Sequence, residues 1–211
     1  MPTTREEHIF YTRDEFLGNK YDYYIKLTDF LKSNNEIESY LDLGANVGET
    51  WNIVKSLTPS IKQGYLIEAH PENYKFMLNN IKNGELCKCF NVAIDYSGKK
   101  YLSLLDDNFG NVGGYLLRDS TAGVTVPCVT LESLNISPVD LFKIDVEGCE
   151  YDILKNSTYV KSCKYLEIEF HGPDKGLNFE EPKTFIESNF QDYVVVLESA
   201  NYYRVLLKKV K

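Results

Sequence analysis

Ionisable side chains stand at the ends of four of five apolar segments that read as β-strands. These segments end at Asp42, Glu68, Ala93, Asp145 and the stretch Glu169 to His171. In a doubly wound α/β sheet, ligands bind beyond the carboxyl ends of the strands, near the point where the strand order reverses. We therefore expect these side chains to converge on one ligand site.

The stretch YLDLGANVGET, from Tyr40 to Thr50, places an acid directly before a glycine turn. Gly44 and Gly48 let the backbone turn tightly and approach a ligand at a helix N-terminus. The dinucleotide fingerprint G-x-G-x-x-G does not occur there. The Asp42 carboxylate disfavours a pyrophosphate and favours a cation. S-adenosylmethionine carries a sulfonium and an ammonium and no phosphate, so it fits; a helix-capping Asp42 in an ordinary loop is the alternative.

Glu68 follows the second strand, 20 residues after Gly48. An acid at this position accepts hydrogen bonds from the ribose hydroxyls of a nucleoside. Nicotinamide and adenosylmethionine sites share this feature, so Glu68 predicts a nucleoside without choosing between them. A nicotinamide-dependent oxidoreductase therefore stays open as an alternative, although Asp42 and the missing glycine triple disfavour it.

Five segments resemble the FkbM family of class I S-adenosylmethionine-dependent O-methyltransferases in order and spacing. They are YLDLGANVGET, GYLIEAHPENYKFMLNN, NVAI, VPCVTLESL and DLFKIDVEGCEYDIL. The resemblance covers about Ser39 to His171. This sequence departs from the family pattern at two places. It has Glu68-Ala69 where family members often have Glu-Pro, and Thr130-Leu-Glu-Ser-Leu134 where they commonly have Thr-Leu-Asp-Ser-Leu. The cofactor contacts expected from it are Asp42, Gly44, Asn46, Gly48, Glu68, Ala69, Asn91, Ala93 and Asp145.

Methyl transfer to an alcohol requires the acceptor oxygen to be aligned and its proton removed. Asp145 is expected beside the methyl position. His171, with an unperturbed pKa of about 6.5, is the leading general base, and Glu169 is expected to orient it. Alternatively, Asp145, Glu169 and His171 hold a divalent ion, Mg²⁺ or Mn²⁺, that acidifies a sugar diol. The sequence does not separate these two mechanisms.

The acceptor is expected from the resemblance to be a hydroxyl of a sugar or of a polyketide-like natural product. We favour a glycan hydroxyl, on a deoxyhexose such as rhamnose, with a small natural product as the alternative. The Gly-rich insert from Asp106 to Ser120 is a candidate lid on the acceptor side. The compact length also resembles a methyltransferase module of a multidomain, viral glycan-building protein. A non-catalytic domain that binds a partner is the remaining hypothesis.

The charge and hydrophobicity of the sequence limit which classes of binding partner are expected. The net charge of −8, from 23 basic and 31 acidic residues, argues against a nucleic-acid surface. No apolar run approaches the ~20 residues of a membrane span, and the start lacks a signal-peptide layout. We expect a soluble cytoplasmic protein whose five cysteines are free thiols.

Strand-like and helical segments alternate along the chain, which predicts βαβ units and a parallel sheet. Together with the resemblance to the FkbM family, this alternation predicts a Rossmann-like class I methyltransferase fold. Its mixed, mostly parallel seven-stranded sheet carries helices on both faces and ends in a C-terminal antiparallel hairpin. We expect a single domain over residues 1–211, with a helical cap (1–38), a cofactor-binding core (39–171) and a C-terminal helix and hairpin (172–211).

Individual segments are less uniform. The chain before Asn19 has no clear pattern, whereas Tyr21 to Lys32 predicts a helix. NVGETWNIVKSL predicts a second helix, CKCFNVAI one strand, and Lys100 to Val129 an antiparallel excursion or loop.

Overall fold

The computed structural model describes residues 4–18, 21–106, 115–171, 181–199 and 203–210. The strands are β1 (Ser39–Leu43), β2 (Gln63–Ile67), β3 (Cys87–Phe90), β4 (Ala93–Ile94), β5 (Tyr101–Asp106), β6 (Tyr115–Arg118), β7 (Val124–Val129), β8 (Leu141–Ile144), β9 (Tyr165–Glu169), β10 (Tyr193–Glu198) and β11 (Arg204–Lys209). The α-helices are α1 (Arg5–Leu17), α2 (Asp22–Ser33), α3 (Glu49–Leu57), α4 (Pro71–Asn80), α5 (Glu150–Asn156) and α6 (Pro182–Asn189).

Seven strands form the main sheet in the order β10-β11-β9-β8-β1-β2-β3. The strands β3, β2, β1, β8 and β9 pair in parallel, whereas β11 is antiparallel to both of its neighbours. The predicted mixed sheet with a C-terminal antiparallel hairpin is confirmed. The strand order reverses between β1 and β8, so the loops after these two strands border the expected ligand crevice.

Alternating side chains of the strands feed a hydrophobic core on each face of the main sheet. On one face, Tyr40 and Leu66 pack with Leu27 of α2 and Trp51 of α3. On the other face, Leu41, Leu43 and Ile67 pack with residues of α5 and α6, among them Ile153 and Phe185. The helices thus cover both faces, as predicted, and leave the carboxyl edge of the strands for a site.

A second, four-stranded sheet has the order β4-β7-β5-β6. It splits the segment predicted as one strand, CKCFNVAI, because β3 pairs in the main sheet and β4 pairs with β7. The excursion between Lys100 and Val129 is antiparallel, as β5 pairs with both β6 and β7. Residues 107–114 of the predicted lid lie outside the described residues.

The N-terminal segment, which shows no clear pattern in the sequence, contains the helix α1. Thr4 caps it through a reciprocal pair with Glu7, in which each side chain accepts from the other residue's backbone N–H. This capping box fixes where the helix begins. No helix in the described part of the chain is long and apolar enough to cross a membrane.

Candidate active site

The turn after β1 is shaped by backbone conformations that favour glycine and asparagine. Gly44 has φ of +85°, and a Cβ there would lie 1.8 Å from the carbonyl oxygen of Asp145. Any side chain at Gly44 would therefore push apart the loops that follow β1 and β8. Asn46, with φ of +47°, donates its backbone N–H to Glu68 Oε2 at 2.7 Å. This contact joins the turn to the end of β2.

A cavity of about 750 Å³ opens at the carboxyl edge of the main sheet. This volume is in the upper part of the ~300–1,000 Å³ range of small-molecule sites, so it can hold a nucleoside cofactor with space beside it. Six of the nine predicted cofactor residues line the cavity, namely Gly44, Asn46, Glu68, Ala69, Ala93 and Asp145. All three predicted catalytic residues, Asp145, Glu169 and His171, also line it.

The other three predicted cofactor residues support the cavity from behind. A Cβ at Gly48 would lie 2.6 Å from Ile81 Cγ2 and 2.8 Å from a Met77 side-chain carbon, so this glycine allows close packing of α3. Asn91 donates its side-chain amide to the carbonyl oxygens of Glu68 and Ala69. Asp42 is fully buried beneath the cavity. Cofactor contact at these three positions stays a prediction, and the contacts that the structure shows for them are with neighbouring protein groups.

Asp42 shares a buried cation with Asp145. Lys143 Nζ lies 3.3 Å from Asp42 Oδ1 and donates to Asp145 Oδ2 at 3.0 Å. Burial raises the pKa of Asp42 and opposes the ionisation of Asp145, but Lys143 and His171 keep the pKa of Asp145 below its usual value. Of these two carboxylates Asp145 lines the cavity, and contact of Asp42 with a cationic ligand stays a prediction.

Glu68 lies at the end of the cavity formed by β2. It accepts backbone N–H groups from Asn46 and from His70, at 2.7 and 2.8 Å. Burial raises the pKa of Glu68 to about 7, against the effect of these two donors. His70 accepts backbone N–H groups of Glu72 and Asn73 and thereby caps α4.

His171 is held by an acid that the sequence did not assign to the site. Glu150 Oε1 accepts from His171 Nδ1 at 2.8 Å, so Glu150 rather than Glu169 orients the ring. Burial opposes the charge on His171, but Glu150, Asp145 and Glu147 outweigh it and raise its pKa to about 10. These carboxylates favour the protonated ring, and the role of His171 as a general base stays a prediction.

Glu169 is engaged by Arg204 of β11. Its two carboxylate oxygens accept from Arg204 Nε at 2.9 Å and from a terminal guanidinium nitrogen at 2.7 Å. Glu15 lies 3.7 Å from the same guanidinium, which also covers the ring of Tyr24. The metal set predicted with Glu169 is therefore not the one that converges: the side chains that come within ligand distance of one another are Asp145, Glu147 and His171.

Sequence reasoning also missed the wall that α1 contributes. Four of its side chains that line the cavity are His8, Tyr11, Thr12 and Glu15. His8 Nε2 lies 2.8 Å from the side-chain nitrogen of Asn46, so the helix touches the glycine turn directly. The Thr4-x-x-Glu7 pattern could have revealed this helix, but the sequence carries no signal for where the helix packs.

The cavity suits a ligand with positive charge. Lys143 and Arg204 both line it, but each is paired with two carboxylates. The Oδ1 atom of Asn46 is buried and has no hydrogen-bond partner among the described residues. Such an acceptor can bind the ammonium of an amino-acid moiety. The residues present therefore fit S-adenosylmethionine better than they fit a pyrophosphate.

Comparison with known proteins agrees with this geometry. The family described as "Methyltransferase FkbM domain" matches residues 42–203, which is more than half of the chain. Among proteins of curated function, none matches the sequence closely enough to count as a relative.

Several solved structures share the fold at low sequence identity. A methyltransferase FkbM from Methylobacillus flagellatus KT has a TM-score of 0.54 and 15% identity, over 82% of this chain and 43% of that one. A SAM-dependent methyltransferase from Aquifex aeolicus has a TM-score of 0.50 and 14% identity, over 99% and 97% of the two chains. TrmK of M. capricolum, solved with S-adenosyl-homocysteine, has a TM-score of 0.50 and 13% identity, over 88% and 68%. The present chain thus spans less than half the length of the Methylobacillus protein.

Proposed function

Because the chain belongs to the FkbM methyltransferase family, we propose that it transfers a methyl group from S-adenosylmethionine to a hydroxyl oxygen of a sugar in a glycan. The observation that carries this proposal is the acidic cavity at the carboxyl edge of the sheet. The glycine turn, Glu68 and Asp145 all line it, and its cations Lys143 and Arg204 are already paired.

The residues divide the cavity into a donor half and an acceptor half. Glu68 accepts from the ribose hydroxyls, Val92 and Ala93 border the adenine, and the Gly44 to Asn46 turn holds the amino-acid end. When bound, S-adenosylmethionine supplies a methyl group activated by its sulfonium. Asp145 stabilises the nearby positive charge through space, which a carboxylate does strongly in a cavity shielded from water.

The acceptor half lies between α1 and the ends of β8, β9 and β11. Tyr11, Phe16 and Tyr24 line it with aromatic surface, and Glu15, Glu169 and Arg204 add polar groups. Aromatic rings beside a few fixed polar groups suit the mixed apolar and hydroxyl faces of a sugar. A deoxyhexose such as rhamnose, which carries a methyl group, fits this mixture. A hydroxyl of a small natural product is the alternative acceptor.

The catalytic roles are assigned from where each side chain lies in the cavity. Asp145 and Glu169 are the carboxylates of the predicted catalytic set, and either can receive the hydroxyl proton directly or through water. His171, whose ring is fixed by Glu150, lies beside Asp145 and helps to position the acceptor oxygen.

The test combines a binding and a product measurement. S-adenosylhomocysteine should raise the melting temperature of the protein, whereas NAD should not. Mass spectrometry of sugars, glycans and natural-product alcohols incubated with the protein and S-adenosylmethionine should show a gain of one methyl group on a deoxyhexose. Methylation of only the natural products would move the acceptor to that class, and stabilisation by NAD alone would overturn the methyltransferase assignment.

A matched pair of variants tests the role of Asp145. Asp145→Asn keeps the shape of the side chain and removes its charge, so we expect kcat to fall by about 100-fold or more. Asp152→Asn changes an exposed carboxylate on α5 and should leave kcat unchanged. An Asp145→Asn enzyme with unchanged kcat would contradict the assignment.

A further inference from the structure

Three ligand-type side chains from two different strand ends meet at the acceptor half of the cavity. One ligand atom from each of Asp145, Glu147 and His171 lies within 4.8 Å of the other two. His171 Nε2 lies 3.9 Å from Asp145 Oδ1 and 3.4 Å from Glu147 Oε2. These separations are longer than normal hydrogen bonds. They match the spacing of two ligands on one ion that binds each at about 2.1 Å.

A second observation concerns the far side of the His171 ring. Glu150 is fully buried, accepts from Val146 N–H and Gly148 N–H at 3.1 and 3.0 Å, and binds His171 Nδ1 through the same oxygen. An ionised carboxylate only accepts hydrogen bonds, so Nδ1 carries a proton and Nε2 is directed at the two carboxylates. This carboxylate–histidine arrangement is the usual outer support of a metal-binding imidazole.

The buried charge near this cluster also favours a cation. Glu150 Oε2 is buried and finds no hydrogen-bond partner in the described part of the chain. Lys143 is engaged by Asp42 and by Oδ2 of Asp145, which leaves Oδ1 on the side of His171. Asp145, Glu147 and Glu150 thus surround one imidazole, and a divalent ion would offset their mutual repulsion.

We propose that Asp145, Glu147 and His171 bind one divalent cation, with Glu150 as the positioning residue for His171. A mixed set of two carboxylates and one imidazole suits Mn²⁺, and Mg²⁺ with more water ligands is the related case. All three side chains line the cavity, so an ion bound by them would be within reach of an acceptor there.

The function of this ion rests on the proposed methyl transfer. An ion at this position lowers the pKa of a sugar hydroxyl that binds it. The hydroxyl proton then passes to water, the oxygen forms the new O–CH₃ bond, and the electron pair of the broken C–S bond stays on sulfur. S-adenosylmethionine is the only co-reactant in this step.

The test is a direct titration of the full chain with Mn²⁺ after chelator treatment and dialysis, followed by electron paramagnetic resonance of the free ion. The wild type should bind one ion saturably. Glu147→Gln and Asp145→Asn should each weaken binding by at least tenfold, and Glu150→Gln should weaken it less. Asp152→Asn, on the exposed side of α5, is the matched control and should bind as the wild type does.

Folding of each variant is checked by its thermal unfolding, and S-adenosylhomocysteine binding is measured in parallel. If the wild type binds S-adenosylhomocysteine but no Mn²⁺, or if Glu147→Gln binds Mn²⁺ as tightly as the wild type, the ion site is overturned and the methyltransferase proposal stands. If Mn²⁺ binds but no acceptor is methylated, the ion site stands and the proposed function fails.

Discussion

At the scale of single residues, the protonation state of the Glu68 carboxyl should control how tightly the cofactor binds. Burial raises its pKa to about 7, and the ionised form is the better acceptor for two ribose hydroxyls. Affinity for S-adenosylhomocysteine should therefore rise with pH, by up to roughly tenfold between pH 6 and pH 8. Calorimetric titration at several pH values measures this change.

The variant Glu68→Gln isolates the contribution of this carboxyl. It should bind S-adenosylhomocysteine about tenfold more weakly at pH 8, because hydrogen bonds to a charged acceptor are the stronger ones. Its affinity should also be nearly independent of pH over the same range. A variant with the same pH profile as the wild type would assign the dependence to another group.

The residues of the site differ in how far sequence could predict them. Strand-end position predicted Glu68, Asp145 and His171 in the cavity, because the carboxyl ends of parallel strands share one edge. The partner of His171 was not predictable, since Glu150 reaches it by folding back beneath the loop after β8. The pKa of His171 depends on that contact, which the residue type alone does not reveal.

At the scale of elements, Glu132 joins the segment after β7 to the segment after α5 by hydrogen bonds. It lies in the short 3₁₀ helix Leu131–Leu134 and accepts from Ser157, Thr158 and the backbone of Tyr159, next to α5. Burial opposes its ionisation, but its own backbone, the backbone N–H of Tyr159 and the hydroxyls of Ser157 and Tyr96 outweigh burial and lower its pKa to about 2. This connection helps to fix α5, whose first residue is Glu150.

Glu132→Gln should therefore lower the free energy of unfolding at pH 7 by about 1 kcal/mol, a value reduced for the exposure of the side chain. Because the folded pKa is depressed, the stabilising effect is present above about pH 4.3 and is lost as the pH falls towards 2. Urea unfolding at pH 7 and pH 3 measures the difference, which should shrink at pH 3. The exposed Glu187→Gln on α6 is the control, and an equal loss in both variants would contradict the role of Glu132.

Element boundaries were predicted well where hydrophobic periodicity was strong. The helix predicted over Tyr21 to Lys32 is α2, whereas the helix predicted from NVGETWNIVKSL begins only at Glu49. Residues before Glu49 adopt left-handed conformations at Asn46 and Gly48. CKCFNVAI failed as one strand because its two halves pair in different sheets, and pairing partners distant in the chain leave no local pattern.

At the scale of the whole molecule, the mixed, mostly parallel sheet was predictable from alternation and resemblance, but the wall that α1 adds to the cavity was not. Helix α1 joins the core through long-range polar contacts with no periodic signature. Arg5 Nε donates to Asn73 Oδ1 at 2.9 Å, and Arg13 Nε pairs with Glu49 Oε1 at 2.5 Å. Together with the His8–Asn46 contact, these two contacts place α1 across the N-terminal parts of α3 and α4 and beside the glycine turn.

This arrangement predicts that the cofactor and α1 stabilise each other. A ligand that orders the glycine turn should strengthen the contacts of α1, so S-adenosylhomocysteine should slow amide hydrogen exchange in residues 5–17. Arg13→Gln removes a half-exposed cation from the buried Glu49 and should speed that exchange and weaken ligand binding several-fold. Lys26→Gln, which breaks an exposed pair on α2 away from the cavity, should change neither quantity. If neither the ligand nor Arg13→Gln changes the rate of amide exchange in α1, the packing of α1 is not energetically coupled to the cofactor site.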